Sequence, residues 1–138
     1  MAIIKNTKYR YVGIFFNPKT FYHRVESIRK DKKEKQIELP HITLKYKPEI
    51  IDESLFGKEV RVIITGYGSN NNNEGVSVEI EELSADERIK RMFSEIAVPH
   101  ITLSISKYGK AVDTKYLQFN TLKNKIYLKG TFDGFPIQ

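Results

Sequence analysis

The chain has 138 residues, a net charge of +6 and no cysteine, which suits one compact domain and excludes a disulfide framework or a thiolate metal site. Hydrophobic residues make up 40%, with eight tyrosines and eight phenylalanines, enough apolar surface for a core, so a disordered chain is not expected. No run approaches the roughly 18 apolar residues of a membrane helix, and residues 1–6 lack the apolar stretch of a signal peptide, so the expectation is a soluble, cytoplasmic monomer without membrane association.

Taken along the chain, Tyr9 to Phe16 is aromatic and β-branched and predicts a strand in which Tyr11, Phe15 and Phe16 face the core. Asn17-Pro18 supplies a helix cap and a proline at the first helical position, and Phe21, Val25 and Ile28 recur at helical spacing. His23 falls on the outer side of that helix. The run from Arg29 to Lys35 carries five basic residues against two acidic ones and reads as a solvated helix end. Leu39 to Leu44 is a short strand, and Val60 to Thr65 another, closed by Gly66-Tyr67-Gly68. The run Ser69 to Gly75, rich in asparagine, reads as a hairpin loop because asparagine and glycine tolerate positive φ.

The pattern then restarts. Val76 to Ile80 is a strand, and Ser84-Ala85-Asp86-Glu87 has the spacing of a capping box. Ile89, Met92, Phe93 and Ile96 form the apolar stripe of a second helix. Val98 to Leu103 repeats the short strand, Ser106 to Lys110 is a loop, and Lys125 to Phe132 is the last strand, with Gly130 and Gly134 flanking its end. Strand, helix, short strand, strand occurs twice, over about 8–68 and 75–135. The expected fold is therefore α+β: a single bilobal domain spanning 1–138, with a pseudo-two-fold repeat, antiparallel sheets lining a central cleft, and helices outside.

Pro-His-Ile-Thr-Leu occurs at 40–44 and again at 99–103. Strand side chains alternate with period two, so His41 and Thr43 share one face while Ile42 and Leu44 anchor the other, and the second copy places His100 and Thr102 likewise. The same alternation puts Lys45 and Lys47 after the first pair, and Ser104 and Ser106 after the second. Two imidazoles can serve as general base and general acid. Threonine hydroxyls can donate to phosphoryl oxygens, and a lysine can offset charge in the transition state. Two histidines with no third ligand make an incomplete metal set, so neither metal nor cofactor is expected.

These motifs resemble those of the two-histidine (2H) phosphoesterases, a family marked by paired His-x-Thr/Ser motifs in the two halves of a bilobal fold. The resemblance covers most of the chain. It implies that His41, Thr43, His100 and Thr102 form a catalytic tetrad, and that the substrate is a nucleotide, oligonucleotide or RNA phosphodiester: a cyclic phosphate, a 2′-5′ linkage or a cyclic oligonucleotide. Lys45, Ser104 and Tyr108 are the further substrate-binding candidates, Tyr108 as a stacking platform in the loop after the second motif. The alternatives are a binding module for a nucleotide or RNA end that does not turn over, and an RNA 2′-5′ ligase.

Overall fold

The computed structural model describes residues 2–83 and 85–137. Its strands are β1 (Ile3–Lys5), β2 (Tyr9–Phe15), β3 (Lys35–Gln36), β4 (His41–Tyr46), β5 (Ile50–Asp52), β6 (Glu59–Ser69), β7 (Asn73–Ile80), β8 (His100–Ile105) and β9 (Asn120–Pro136). Two α-helices, α1 (Pro18–Val25) and α2 (Glu87–Ser94), and short 3-10 turns complete the chain, so the class is α+β. The helix starts follow local chemistry. The Asn17 side chain accepts from the Thr20 amide, and Asp86 accepts from the Arg88 amide. Each helix buries a short apolar stripe: Phe21 and Val25 on α1, Ile89 and Phe93 on α2.

Seven strands form one antiparallel sheet in the order β3-β8-β7-β6-β9-β2-β4, and β1 pairs with β5 in a separate ribbon. The sheet runs unbroken through both halves because β6 pairs with β9 along most of its length, where a sheet for each lobe was expected. The apolar core is likewise continuous, joining Ile14 and Ile42 to Val76 and Ile101. The two motif strands, β4 and β8, are five steps apart in the sheet, about 24 Å if it were flat at ~4.8 Å per step. Yet their Cα atoms approach within 8 Å, so the sheet curls and brings them together.

Both motif strands carry a β-bulge at the same place. On β4, Thr43 faces Gly13 and Lys45 faces Val12, leaving Leu44 as the extra residue. On β8, Thr102 faces Gly75 and Ser104 faces Glu74, leaving Leu103. The glycines are required by close approach. A Cβ at Gly13 would lie 2.2 Å from the Ile42 carbonyl oxygen, and one at Gly75 would lie 2.4 Å from the Thr114 methyl. A bulge adds one residue to one strand and so inverts the alternation beyond it.

Other expectations need correction. β6 continues through Gly66-Tyr67-Gly68, and β9 continues through Gly130 and Gly134, because both strands are paired there. Asn73, Glu74 and Gly75 belong to β7, leaving a hairpin turn over residues 70–72. No described asparagine has positive φ; Lys47 alone among the described non-glycine residues does. Ser84 of the expected capping box lies outside the described residues. Arg29 is not solvated: its side chain is 2% exposed and its guanidinium is bound to the fully buried Glu74.

Candidate functional site

His41 and His100 begin β4 and β8, each directly after the proline of its motif. Each ring is held the same way: Nδ1 lies 2.8 Å from the carbonyl oxygen two residues upstream, Leu39 for His41 and Val98 for His100. A carbonyl only accepts, so Nδ1 carries the proton in the neutral ring and Nε2 is the free lone pair. His41, Thr43, His100 and Thr102 line one cavity of about 500 Å³.

Burial pushes both imidazoles below their ordinary value. The carbonyl bond at Nδ1 pulls each of them back up. The charge of His100 lowers His41 further, and that of Lys115 lowers His100, so these groups share one electrostatic field. The His41 ring also sits in an aromatic cluster. Tyr11 stacks on it at 5.0 Å and Phe15 at 5.5 Å, while Phe135 stacks on Tyr11 at 5.0 Å. Burial raises the Tyr11 hydroxyl to about 12, so it stays protonated at neutral pH. Tyr11 therefore lines the site and Phe15 packs against the His41 ring, whereas Phe16 is a core residue as expected.

The two threonines are not equivalent. Thr43 is exposed, and its hydroxyl has no hydrogen-bond partner among the described residues. The Thr102 hydroxyl donates within the protein, to Thr114 Oγ1 at 2.8 Å and towards the Ala111 carbonyl at 3.1 Å. Thr114 is itself fully buried and accepts from Asn73 Nδ2 at 3.0 Å.

The remaining sequence candidates lie elsewhere. The Leu44 bulge turns Lys45 to the opposite face, where it lines a different cavity with Met92 and Arg91 of α2. The Leu103 bulge does the same to Ser104, which is fully buried and donates to Glu74 Oε1 at 2.6 Å. Tyr108 is 77% exposed, away from the cavity, with Lys107 Nζ 5.0 Å from its ring. Two residues missed by the sequence reading take their places. Tyr46, the next residue past the bulge, faces the cavity in place of Lys45. Lys115 supplies the ammonium, from the 3-10 segment Ala111–Tyr116 that follows β8.

Among the described residues, no three His, Cys, Asp or Glu side chains gather as metal ligands. No described helix is long and apolar enough to cross a membrane. Scanned against models of known protein families, the chain matches none, and no curated protein matches it.

Proposed function

We propose that the chain is a metal-independent phosphodiesterase of the two-histidine type, acting on a nucleotide or RNA phosphodiester. The observation that carries this reading is the matched pair of imidazoles in one cavity, each with Nδ1 held by a carbonyl and Nε2 left free. The repeat supports it: the strand order from β8 to β4 reads the same from either end when β2, β4 and β6 exchange with β7, β8 and β9. The bulges at Leu44 and Leu103 obey the same exchange, which supports a reading of two lobes about an approximate two-fold axis with the cleft between them.

In this mechanism one Nε2 takes the proton from the attacking hydroxyl or water as its oxygen bonds to phosphorus. The bond to the leaving oxygen breaks, and the other imidazole, protonated on Nε2, supplies the proton that oxygen needs. Thr43 donates to a non-bridging oxygen, and Lys115 balances the charge on the phosphoryl group. Thr102 shapes the cavity wall and positions the segment that carries Lys115. Proton transfer by a placed group contributes about 10²–10⁴-fold. A panel of nucleoside 2′,3′-cyclic phosphates, 2′-5′ oligoadenylate and cyclic oligonucleotides, followed by mass spectrometry with EDTA present, tests the reading. The expected result is turnover of at least one class, reduced by that factor in His41→Ala and in His100→Ala. Folded variants that keep wild-type turnover would overturn it.

A further inference from the structure

Tyr46 lines two cavities. One is the histidine cavity; the other is a groove of about 990 Å³ between the β1–β5 ribbon and the adjoining ends of β2, β4 and β9. That size is at the upper end of ligand sites, ~300–1,000 Å³. The groove is basic. Among the described residues, Lys5, Arg10 and Lys47 line it against one carboxylate, Glu49. Among the described residues these three cations make no ion pair, unlike Arg29, Lys58, Arg88 and Lys90 elsewhere.

The walls are fixed rather than floppy. Asn6 uses its whole side chain to tie them together: Nδ2 donates to the Tyr9 and Pro48 carbonyls at 2.8 Å, and Oδ1 accepts from the Lys8 and Tyr9 amides. Lys47 sits at φ 48, a left-handed conformation uncommon for a residue with a side chain and further disfavoured before proline. Its amide donates to the Arg10 carbonyl at 2.7 Å, which holds the turn. Lys47 Nζ lies 5.4 Å from the Tyr46 ring, so an ammonium and an exposed aromatic face stand together where the two cavities meet. A cationic track with an aromatic platform is the chemistry of single-stranded nucleic-acid binding.

We propose that this groove is a binding subsite for the single-stranded oligonucleotide segment flanking the phosphate in the histidine cavity. Arg10 and Lys47 would contact backbone phosphates and Tyr46 would stack a base, which makes an oligonucleotide, rather than a mononucleotide, the preferred substrate class. The inference rests on the phosphodiesterase reading for what occupies the histidine cavity, but its test does not need turnover.

The test titrates a short fluorescein-labelled oligouridylate into a His41→Gln/His100→Gln background by fluorescence anisotropy over a range of salt. Arg10→Gln and Lys47→Gln are introduced singly and together, with Lys19→Gln on α1, outside both cavities, as the control. The expected result is weaker binding in each groove variant. The slope of log Kd against log salt should fall by about 0.7 per phosphate contact removed, and Tyr46→Ala should weaken binding about fivefold to a hundredfold. In the turnover-competent protein, the ratio of KM for an oligonucleotide to KM for a cyclic mononucleotide should rise in Arg10→Gln and Lys47→Gln. Absence of binding, groove variants that bind like the parent, or an equal loss in Lys19→Gln would each overturn the subsite. Groove-dependent binding without turnover of any phosphodiester would overturn the phosphodiesterase reading instead, so the two failures are distinguishable.

Discussion

Thr43 and Thr102 occupy identical motifs, and the structure predicts that they fail differently. Valine keeps the shape of threonine and removes only the hydroxyl. At Thr43 that hydroxyl is exposed and unpartnered, so Thr43→Val should leave stability within about 0.5 kcal/mol of the parent. In the proposed mechanism the same change removes one donor to a non-bridging oxygen, worth ~10²–10³-fold in kcat. At Thr102, which is 9% exposed, the hydroxyl is bonded to the buried Thr114 and faces the Ala111 carbonyl. Thr102→Val removes the donor to both partners, and although Thr114 Oγ1 keeps its bond from Asn73 Nδ2, the lost hydrogen bond costs about 0.5–1.5 kcal/mol. The loss also loosens the segment that carries Lys115. Urea unfolding of both variants, beside initial rates on the substrate found by the panel, separates the two effects. A Thr102→Val protein of full stability, or equal kinetic losses at both positions with neither destabilised, would refute the assigned difference.

Four further outcomes are expected. The kcat/KM profile should be bell-shaped, since one imidazole must be neutral and the other protonated; both free values lie below 6.5, so the maximum falls on the acid side of neutrality. Lys115→Ala should raise the His100 value towards 6.5 in an NMR titration, because the nearby ammonium helps hold it down; an unchanged or lower value would remove Lys115 from the site. The sign for stability follows from the same shifts: imidazoles whose folded values are depressed contribute stability that is present above the unfolded value and lost as pH falls through the folded one. Glu74→Gln should cost about 3–5 kcal/mol in urea unfolding, since it strips the carboxylate from the buried Arg29 guanidinium; a loss below 1 kcal/mol would show the pair to be solvated. Gly13→Ala should destabilise the protein and disturb the β2–β4 register, detectable as lost amide protection at Thr43, because its Cβ meets backbone rather than a movable side chain.

The motif pair was legible because its information is local. Proline, histidine, threonine and the apolar residues between them state a strand and its two faces within five positions, and the repeat states that the two strands belong together. The same alternation misled at the next step. Lys45 and Ser104 fit a period of two counted from the histidines, but each lies one residue beyond a bulge, so each was assigned to the wrong face for one shared reason. A signal was present at Gly13, which stands inside a strand otherwise rich in β-branched and aromatic residues, where a glycine marks a bulge or a close approach; Gly75 is hidden in the asparagine-rich run that reads as a loop. With the bulge counted, Tyr46 replaces Lys45 on the site face without further information. Lys115 is a different case. Its segment is placed by Asn73, whose amide reaches the Lys110 carbonyl and Thr114 across 37 and 41 residues of chain, and by Thr102 beneath it. No local pattern within 111–116 announces that docking, although Thr114 receives both bonds, and the asparagine responsible sits in a run that looks like turn filler. Local periodicity therefore located the two histidines assigned to proton transfer in the proposed mechanism, while Lys115, assigned there to phosphoryl charge, was set by buried hydrogen bonds between distant parts of the chain. The same limit hid the groove beside Tyr46: its cations come from β1, β2 and the turn after β4, and they are brought together by Asn6 joining Tyr9 to Pro48, by the Lys47 amide on the Arg10 carbonyl and by the pairing of Lys5 with Ile50.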